Sequence, residues 1–134
     1  MEIGVVRGCV VRGRQLARTM GFPTANIVPE RPPPEGVYYG QTALRGAVYH
    51  CVVSVGKSPS IAGKTFCVEV HLFGWSGAEF YGEEIRVAPL TFLRGMRKVA
   101  GVADLKEMVQ NDIKAVVEHI IPATPLLPLS SFSD

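Results

Sequence analysis

Helical periodicity in this chain is confined to one stretch near the C-terminus, from Asp104 to Ile121. Asp104 is a suitable N-cap, Glu107 follows three residues later, and Pro122 is placed to end the helix. Apolar residues recur at helical spacing along one face, which predicts that this face packs on a core. The residues of this apolar stripe are Leu105, Met108, Val109, Ile113, Val116, Val117, Ile120 and Ile121.

The segments before that helix are short, rich in β-branched residues and separated by glycine and proline, which is typical of strands. Strands are predicted at residues 3–11, 36–44, 47–55, 65–73 and 85–92, with loops at residues 57–64 and 93–98. Because five or six strands follow one another without intervening helices, a parallel sheet is not expected. The 134 residues, 47% of them hydrophobic, suffice for one domain with its own core. We therefore predict a single all-β domain over residues 1–134, with an antiparallel barrel (about 3–93), one packed helix (about 104–121) and an irregular tail (122–134).

Thr65 to Phe73 alternates between apolar and polar residues, which predicts a strand with two different faces. Glu69 and His71 fall on the polar face, two residues apart. In a half-exposed strand such a face only contacts solvent. At the mouth of a small barrel, however, the carboxylate of Glu69 could border a ligand and act as a general base. The pattern by itself leaves both interpretations open.

The stretch from Gly21 to Asn26 reads Gly-Phe-Pro-Thr-Ala-Asn, the composition of a rigid turn. Thr24 and Asn26 would present a hydroxyl and an amide, two short groups that can contact an ion or a phosphate. The preceding loop, Arg12 to Met20, carries three arginines, which pair well with phosphate oxygens. An ordinary turn beside a solvated loop explains the same residues, so this stretch alone does not establish a site.

Charge and composition argue against several classes of function. The net charge is only +2 and basic residues are spread along the chain, which gives no indication of nucleic-acid binding. No apolar run is long enough to span a membrane, and no signal peptide is recognisable at the N-terminus. Cys9, Cys51 and Cys67 are widely spaced, so we expect reduced, mostly buried thiols and an intracellular, cytoplasmic location.

Six segments of the chain match one family pattern in order. They are Gly21 to Asn26, Gly36 to Gly40 (Gly-Val-Tyr-Tyr-Gly), Val53 to Gly56, Val68 to Leu72, Phe80 to Gly82 and Phe92 to Arg94. Together these segments resemble the riboflavin kinase family in sequence, in order and in approximate spacing. The similarity extends from about Gly4 to Ile121, which is nearly the whole chain.

The resemblance implies a six-stranded antiparallel Greek-key β-barrel with one C-terminal α-helix, in agreement with the element count. It implies an ATP-dependent phosphotransferase that moves the γ-phosphoryl group of ATP to the 5′-hydroxyl of riboflavin and yields FMN and ADP. The implied metal is Mg²⁺, although Zn²⁺ and Mn²⁺ also suit oxygen ligands. Riboflavin, FMN, ATP and ADP are the expected partners, without nucleic acid or membrane, and a monomer is expected.

The resemblance also implies roles for individual residues. Glu69 would be the general base on the ribityl hydroxyl, and Thr24 and Asn26 would hold the metal ion. The ATP-binding set would be Gly13, Arg14, Arg18, Gly21, Pro23, Thr24 and Asn26. The flavin-binding set would be Phe80, Tyr81, Leu93, Arg94 and Met96. The loops around residues 14–20 and 93–98 would close over nucleotide and flavin respectively.

The chain departs from the family pattern in the loop on the flavin side. Where the family carries Pro-Glu after a Leu-Arg pair, this chain has Gly95 and Met96, which removes a negative charge. Two alternatives to a kinase are therefore kept: a flavin-binding barrel without catalysis, and a structural barrel without a ligand. The retained Thr24, Asn26 and Glu69 favour the kinase, because passive flavin binding requires none of them.

Many bacterial members of the family carry an adenylyltransferase domain before the kinase module. Because Met1 lies only a few residues before the first predicted strand, we expect that domain to be absent from this chain. The segments Gly36 to Gly40 and Val53 to Gly56 resemble the single-function eukaryotic type, which leads to the same expectation.

Overall fold

Six β-strands and one C-terminal α-helix are the main elements of the part of the chain that the structure describes. A computed structural model describes residues 4–11, 24–27, 33–60, 63–74, 82–95 and 102–132. The strands are β1 (Val6–Val11), β2 (Thr24–Ile27), β3 (Gly36–Leu44), β4 (Ala47–Ser60), β5 (Gly63–Leu72) and β6 (Glu84–Arg94), and the helix is α1 (Val102–Ala115). These elements confirm the predicted mainly-β class with one helix at the end.

The strands close into an antiparallel barrel in the order β1-β2-β5-β4-β3-β6, with β1 paired to both β2 and β6. Strands β3, β4 and β5 follow one another as hairpins, and β6 returns to lie beside β3. Three consecutive hairpin strands with a fourth beside the first define a Greek key. The six-stranded Greek-key barrel implied by the resemblance is therefore confirmed.

Every second residue of the strands fills the barrel interior. On β5, Val68, Val70 and Leu72 are almost fully buried, whereas Glu69 between them is partly exposed. Other strands contribute Val6, Ile27, Tyr38, Leu44, Cys51, Val53, Val55, Ile85 and Val87 to the same interior cluster. The predicted two-faced strand is confirmed. Because Glu69 and His71 alternate with interior residues, they lie on the outer face of the barrel wall.

The hairpin of β4 and β5 extends beyond the predicted strand ends, and the loop predicted at residues 57–64 is wrong. Backbone pairing continues as far as Ser60 opposite Gly63. Pairing of β4 with β3 stops at Val55, so the outer part of the hairpin is a two-stranded ribbon within the described ranges. Pro59 is tolerated there because no second described strand requires its missing N–H.

Strand β2 corrects the prediction of a turn at Thr24 to Asn26. These residues are extended; all three pair with β5, and Asn26 also pairs with β1 on the other side. The four residues of β2 are too few to give a periodicity signal, so pairing with two neighbours decides their conformation. The register of β2 on β5 determines which residues of β5 lie opposite Thr24 and Asn26.

The C-terminal helix begins earlier and ends earlier than predicted. It is α-helical over Val102–Ala115, so Asp104 lies in the first turn and is not the N-cap. A carboxylate at this position still interacts favourably with the helix dipole. A π-helical turn (Val116–Ile120) and a 3₁₀ turn (Ile121–Ala123) continue the segment. Among the described residues, no helix combines the length and the apolar character needed to cross a membrane.

The helical segment packs on the outer face of the barrel at a second apolar cluster. Val116 is fully buried there with Val37, Tyr39 and Val52 of β3 and β4. Partly buried neighbours are Phe73, Leu90, Leu93, Ile120 and Ile121. Core packing of the predicted stripe is confirmed at Val116, which is buried, and at Ile120 and Ile121, which are partly buried. Val117, by contrast, is 46% exposed, because it lies one residue further round the helix.

The C-terminal tail packs on the barrel through the buried side chain of Gln41. Its Nε2 donates to the carbonyl oxygen of Pro125 at 3.1 Å and to the hydroxyl of Tyr39 at 3.0 Å. Its Oε1 accepts from the N–H of Leu127 at 2.7 Å. The tyrosine hydroxyl in turn lies 2.7 Å from Nδ1 of His50. One buried amide thus satisfies three hydrogen bonds and joins the tail to β3.

The end of the tail is held by a separate contact. Phe132 is only 2% exposed, and its carbonyl oxygen accepts a 2.8 Å hydrogen bond from the guanidinium of Arg86 on β6. Leu129–Phe132 forms a 3₁₀ turn. The described tail thus has two 3₁₀ turns joined by residues 124–128 without regular structure, and it is docked on the barrel at two places.

The stability of this fold should depend on pH through His50. Burial lowers the pKa of His50 below its ordinary value of 6.5, so the folded protein keeps the imidazole neutral where the unfolded chain takes up a proton. Because the unfolded state then binds more protons, the free energy of unfolding should decrease as the pH falls below about 6.5. Urea titrations from about pH 7.5 to pH 5.5 measure this decrease.

The matched variants are His50→Asn and His119→Asn. The asparagine at position 50 retains an acceptor near Tyr39 but does not titrate, so the pH profile should become flatter. His119 is exposed on the helical segment, and its variant is the reference against which the flattening in His50→Asn is judged. An equally steep profile in His50→Asn would contradict the assignment.

Candidate active site

Two rows of residues cross the outer face of the barrel where β4, β5 and β2 lie side by side. In that strand order the rows are Ser54–Glu69–Asn26 and Val52–His71–Thr24. Residues directly opposed in antiparallel strands share a face and lie about 5 Å apart. The structure therefore brings Glu69 next to the backbone positions of Asn26 and Thr24, although β2 and β5 are far apart in the sequence.

Glu69 and His71 are in direct contact on this face. His71 Nε2 lies 3.1 Å from Glu69 Oε1, and the two side chains are 6% (His71) and 23% (Glu69) exposed. The two residues are separated by one residue of β5, so the pleat places them on the same side. The Glu69 carboxylate is thus largely shielded from bulk water but still accessible.

Both rows continue onto β3, where the character of the surface changes. Ser54 is opposite Val37 and Val52 is opposite Tyr39, and these β3 residues belong to the apolar cluster under the helix. On the row of Glu69, the polar part of the face therefore begins at Ser54, next to the apolar cluster under the helix.

Leu93 and Arg94, the two described members of the predicted flavin-binding set, make contacts within the fold. Leu93 packs against the apolar cluster under the helix. Arg94 donates from Nε and Nη2 to the two carboxylate oxygens of Asp112, at 2.9 and 2.7 Å. The two side chains are only 16% and 13% exposed. The loop predicted at residues 93–98 therefore begins too early, because Leu93 and Arg94 are the last residues of β6. The bidentate pair ties this end of β6 to α1.

Eight of the predicted site residues lie outside the described part of the chain, and their roles stay predictions. They are Gly13, Arg14, Arg18, Gly21, Pro23, Phe80, Tyr81 and Met96. Thr24 and Asn26 are placed by their backbone and their register. Within the described ranges, no group of three or more His, Cys, Asp or Glu residues could hold a metal ion.

Neither the periodicity of the sequence nor its resemblance to a family singles out Asp112, and neither assigns a role to His71. Asp112 lies four residues after Met108 and four residues before Val116. It therefore falls on the apolar stripe of the helix. A carboxylate in such a stripe indicates a paired charge, because an unpaired buried charge is costly. The corresponding signal for His71 is its position two residues from Glu69 on the same strand face.

Comparison with known proteins identifies the family of this barrel. A sequence model of the flavokinase family, described as riboflavin kinase, matches residues 4–120. The chain belongs to the riboflavin kinase family, a family of phosphotransferases. The expectation drawn from the six matching segments is confirmed.

Curated relatives agree with this family and are longer than the chain. A bifunctional riboflavin kinase/FMN adenylyltransferase of Haemophilus influenzae is 37% identical over 110 residues, which cover 80% of this chain and 35% of that protein. The protein of the same description from Bacillus subtilis is 32% identical over 120 residues, covering 85% and 38%. The chain thus spans little more than a third of the length of these relatives. Since both are bacterial, the closer likeness to eukaryotic members stays an expectation.

A solved structure supports the fold. A chain described as a macrolide-efflux protein from Streptococcus pneumoniae superimposes with a TM-score of 0.74 and 32% sequence identity. The match covers 85% of this chain and 38% of that chain. The agreement concerns the fold, and the description as an efflux protein applies to that protein alone.

Proposed function

We propose that this chain transfers the γ-phosphoryl group of ATP to the 5′-hydroxyl of riboflavin and thereby produces FMN and ADP. The observation that carries the proposal is the register of β2 on β5, which sets Asn26 opposite Glu69 in a chain of the riboflavin kinase family. Residues with a carboxylate, an amide and a hydroxyl occupy one face of the barrel. A carboxylate suits proton removal, and amide and hydroxyl oxygens suit a hydrated divalent ion.

Glu69 would act as the general base. The primary alcohol of riboflavin is a poor nucleophile until its proton is accepted, and a carboxylate within hydrogen-bond distance can accept it. The 5′-oxygen then forms a bond to the γ-phosphorus, while the bond from that phosphorus to the bridging oxygen breaks and ADP leaves. Phosphoryl transfer needs positioning and charge neutralisation more than covalent assistance, so a single base on a rigid strand is sufficient.

Thr24 and Asn26 would hold a divalent metal ion together with the phosphates of ATP. Their positions two residues apart on β2 suit this role, because Mg²⁺ binds through few protein oxygens and keeps substrate phosphates and waters as its other ligands. The ion would be Mg²⁺, with Zn²⁺ or Mn²⁺ as alternatives of similar ligand preference. When bound, it would neutralise charge on the transferring phosphoryl group.

The remaining predicted residues would contact the two substrates, the nucleotide and the flavin. Gly13, Arg14, Arg18, Gly21 and Pro23 would line the nucleotide. Phe80, Tyr81, Leu93, Arg94 and Met96 would line the flavin. The contact of Arg94 with Asp112 supports a rigid base for the flavin-side loop, because it holds the last residue of β6 against the helix.

We also propose that the protein works in the cytoplasm as a monomer, with small molecules as its partners. Cys9 and Cys51 are both free thiols, which suits a reducing compartment. Burial raises the pKa of the Cys51 thiol to about 12 and outweighs the opposite effect of the hydrogen bond that the Thr42 hydroxyl donates to its sulfur at 3.1 Å, so the thiol stays protonated. Cys9 is exposed and departs from the expectation of mostly buried thiols.

The test of this function is product formation. The protein is incubated with riboflavin, ATP and Mg²⁺, and flavins are separated by chromatography. FMN that accumulates in proportion to protein and requires ATP supports the kinase. Tight riboflavin binding without FMN would instead favour the non-catalytic flavin-binding barrel.

Replacing Thr24 with alanine should weaken nucleotide binding far more than flavin binding. Loss of one hydrogen bond or ligand contact to a charged group corresponds to about a 10-fold increase in the KM for the metal–ATP complex. The dissociation constant for riboflavin, measured by quenching of flavin fluorescence, should change by less than about 2-fold. Thr24→Ser retains the hydroxyl and is the control. Equal losses for both ligands would contradict the assigned role of Thr24.

A further inference from the structure

His71 is a buried imidazole whose hydrogen bonding is only half satisfied. Its Nε2 lies 3.1 Å from Oε1 of Glu69, and its side chain is 6% exposed. Its other nitrogen, Nδ1, is buried and has no hydrogen-bond partner in the part of the chain that the structure describes. Buried polar atoms in native proteins are nearly always paired, so an unpaired one calls for an explanation.

The contacts define the tautomer that fits this position. A neutral imidazole donates from one nitrogen and accepts at the other. Since the carboxylate oxygen of Glu69 is an acceptor, Nε2 must carry the proton and donate it to Oε1. The geometry therefore assigns an N–H to Nε2 with Oε1 of Glu69 as its acceptor, and Nδ1 has no partner among the described residues.

We propose that His71 is a positioning residue for the general base. It would hold Oε1 of Glu69 by donating from Nε2, which leaves Oε2 to accept the proton of the ribityl hydroxyl. This inference rests on the proposed role of Glu69. A glutamate side chain has three rotatable torsions, and a base displaced by about 1 Å can lose about 100-fold in rate. His71 limits that freedom because it is itself fixed on the same strand, two residues away.

The surroundings of His71 explain why its ring can perform this task. In the register it lies between Val52 of β4 and Thr24 of β2, with the interior residues Val70 and Leu72 as its neighbours on β5. Val52 belongs to the apolar cluster under the helix, so the ring packs at the border of that cluster. Packing fixes the ring, and the ring in turn orients the carboxylate.

The decisive comparison is between His71→Gln and His71→Met. The amide nitrogen of glutamine can reach the position of Nε2 and donate to Glu69, whereas methionine has similar length but no donor. We expect the glutamine variant to retain kcat within about 3-fold and the methionine variant to lose about 10- to 100-fold. The KM values for riboflavin and ATP should change by less than about 3-fold in both, because orientation of the base affects the chemical step alone.

A second comparison excludes a purely structural role. In a Glu69→Gln background, His71→Met should lower the residual kcat by less than about 2-fold, because the carboxylate that it positions is gone. If the methionine variant does not fold, His71→Asn replaces it, since its shorter amide cannot reach Glu69. Equal kcat in the donor and non-donor variants, or an undiminished effect in the Glu69→Gln background, would overturn the role of His71. Full activity of Glu69→Gln alone would instead overturn the base assignment, so the two failures are distinguishable.

Discussion

Glu69→Gln should lower kcat by about 10²- to 10⁴-fold, the range that general-base catalysis contributes in enzymes. The amide has nearly the shape of the carboxylate, so it can still accept a hydrogen bond from the ribityl hydroxyl, but it cannot take its proton. Substrate binding should therefore survive, with a riboflavin dissociation constant within about 3-fold of the original value. Rapid-quench measurement of FMN formation and fluorescence titration of riboflavin give the two quantities separately.

The control for this variant is Glu107→Gln, the same chemical change at an exposed position of α1. Its kcat should equal that of the unsubstituted protein. If Glu69→Gln also retained near-normal turnover, Glu69 would not be the base. A loss of riboflavin binding in parallel with turnover would point to a role in holding the substrate.

Asp112→Asn should lower the free energy of unfolding by about 3 kcal/mol, because it leaves the partly buried guanidinium of Arg94 without its counter-charge. For a domain of this size the loss corresponds to a decrease in Tm of about 10 °C. The pair joins the last residue of β6 to the helix, so both the barrel and the packed helix depend on it. Urea unfolding followed by circular dichroism measures the effect.

Two further variants test whether the buried charge is the cause. The double variant Arg94→Met/Asp112→Leu removes both charges and should recover most of the lost stability. Glu83→Gln breaks the exposed pair with Arg45, whose side chains are 37% (Glu83) and 45% (Arg45) exposed, and should leave the unfolding midpoint nearly unchanged. A midpoint for Asp112→Asn equal to that of Glu83→Gln would contradict the account.

Elements with a strong local pattern are predictable from the sequence. The strand Gly36–Leu44 has the predicted bounds, and the alternation along β5 correctly predicts that Glu69 and His71 share one face. The apolar stripe predicts the helix, although its first turn begins before Asp104. In these segments the local periodicity and the tertiary packing favour the same conformation.

Features that depend on distant partners are not predictable in the same way. Thr24 to Asn26 is extended because β5 pairs with all three residues and β1 pairs with Asn26, although the local composition is that of a turn. The ribbon that includes Pro59 continues because its partner strand continues, which no single segment reveals. The candidate site belongs to this second group, since its residues meet only through the register of β2 on β5. For this reason, resemblance to a family indicates the site residues, and the strand register explains their proximity.

The most direct test of the proposed function is to follow the γ-phosphoryl group itself. Protein in excess over riboflavin is mixed with Mg²⁺ and ATP labelled with ³²P at the γ-position, and flavins and phosphates are separated over time. We predict that the label appears in FMN at the rate at which riboflavin disappears, with one ADP formed for each FMN, and that Glu69→Gln slows both together. Label found only in ATP or inorganic phosphate, with riboflavin bound but unchanged, would contradict the account.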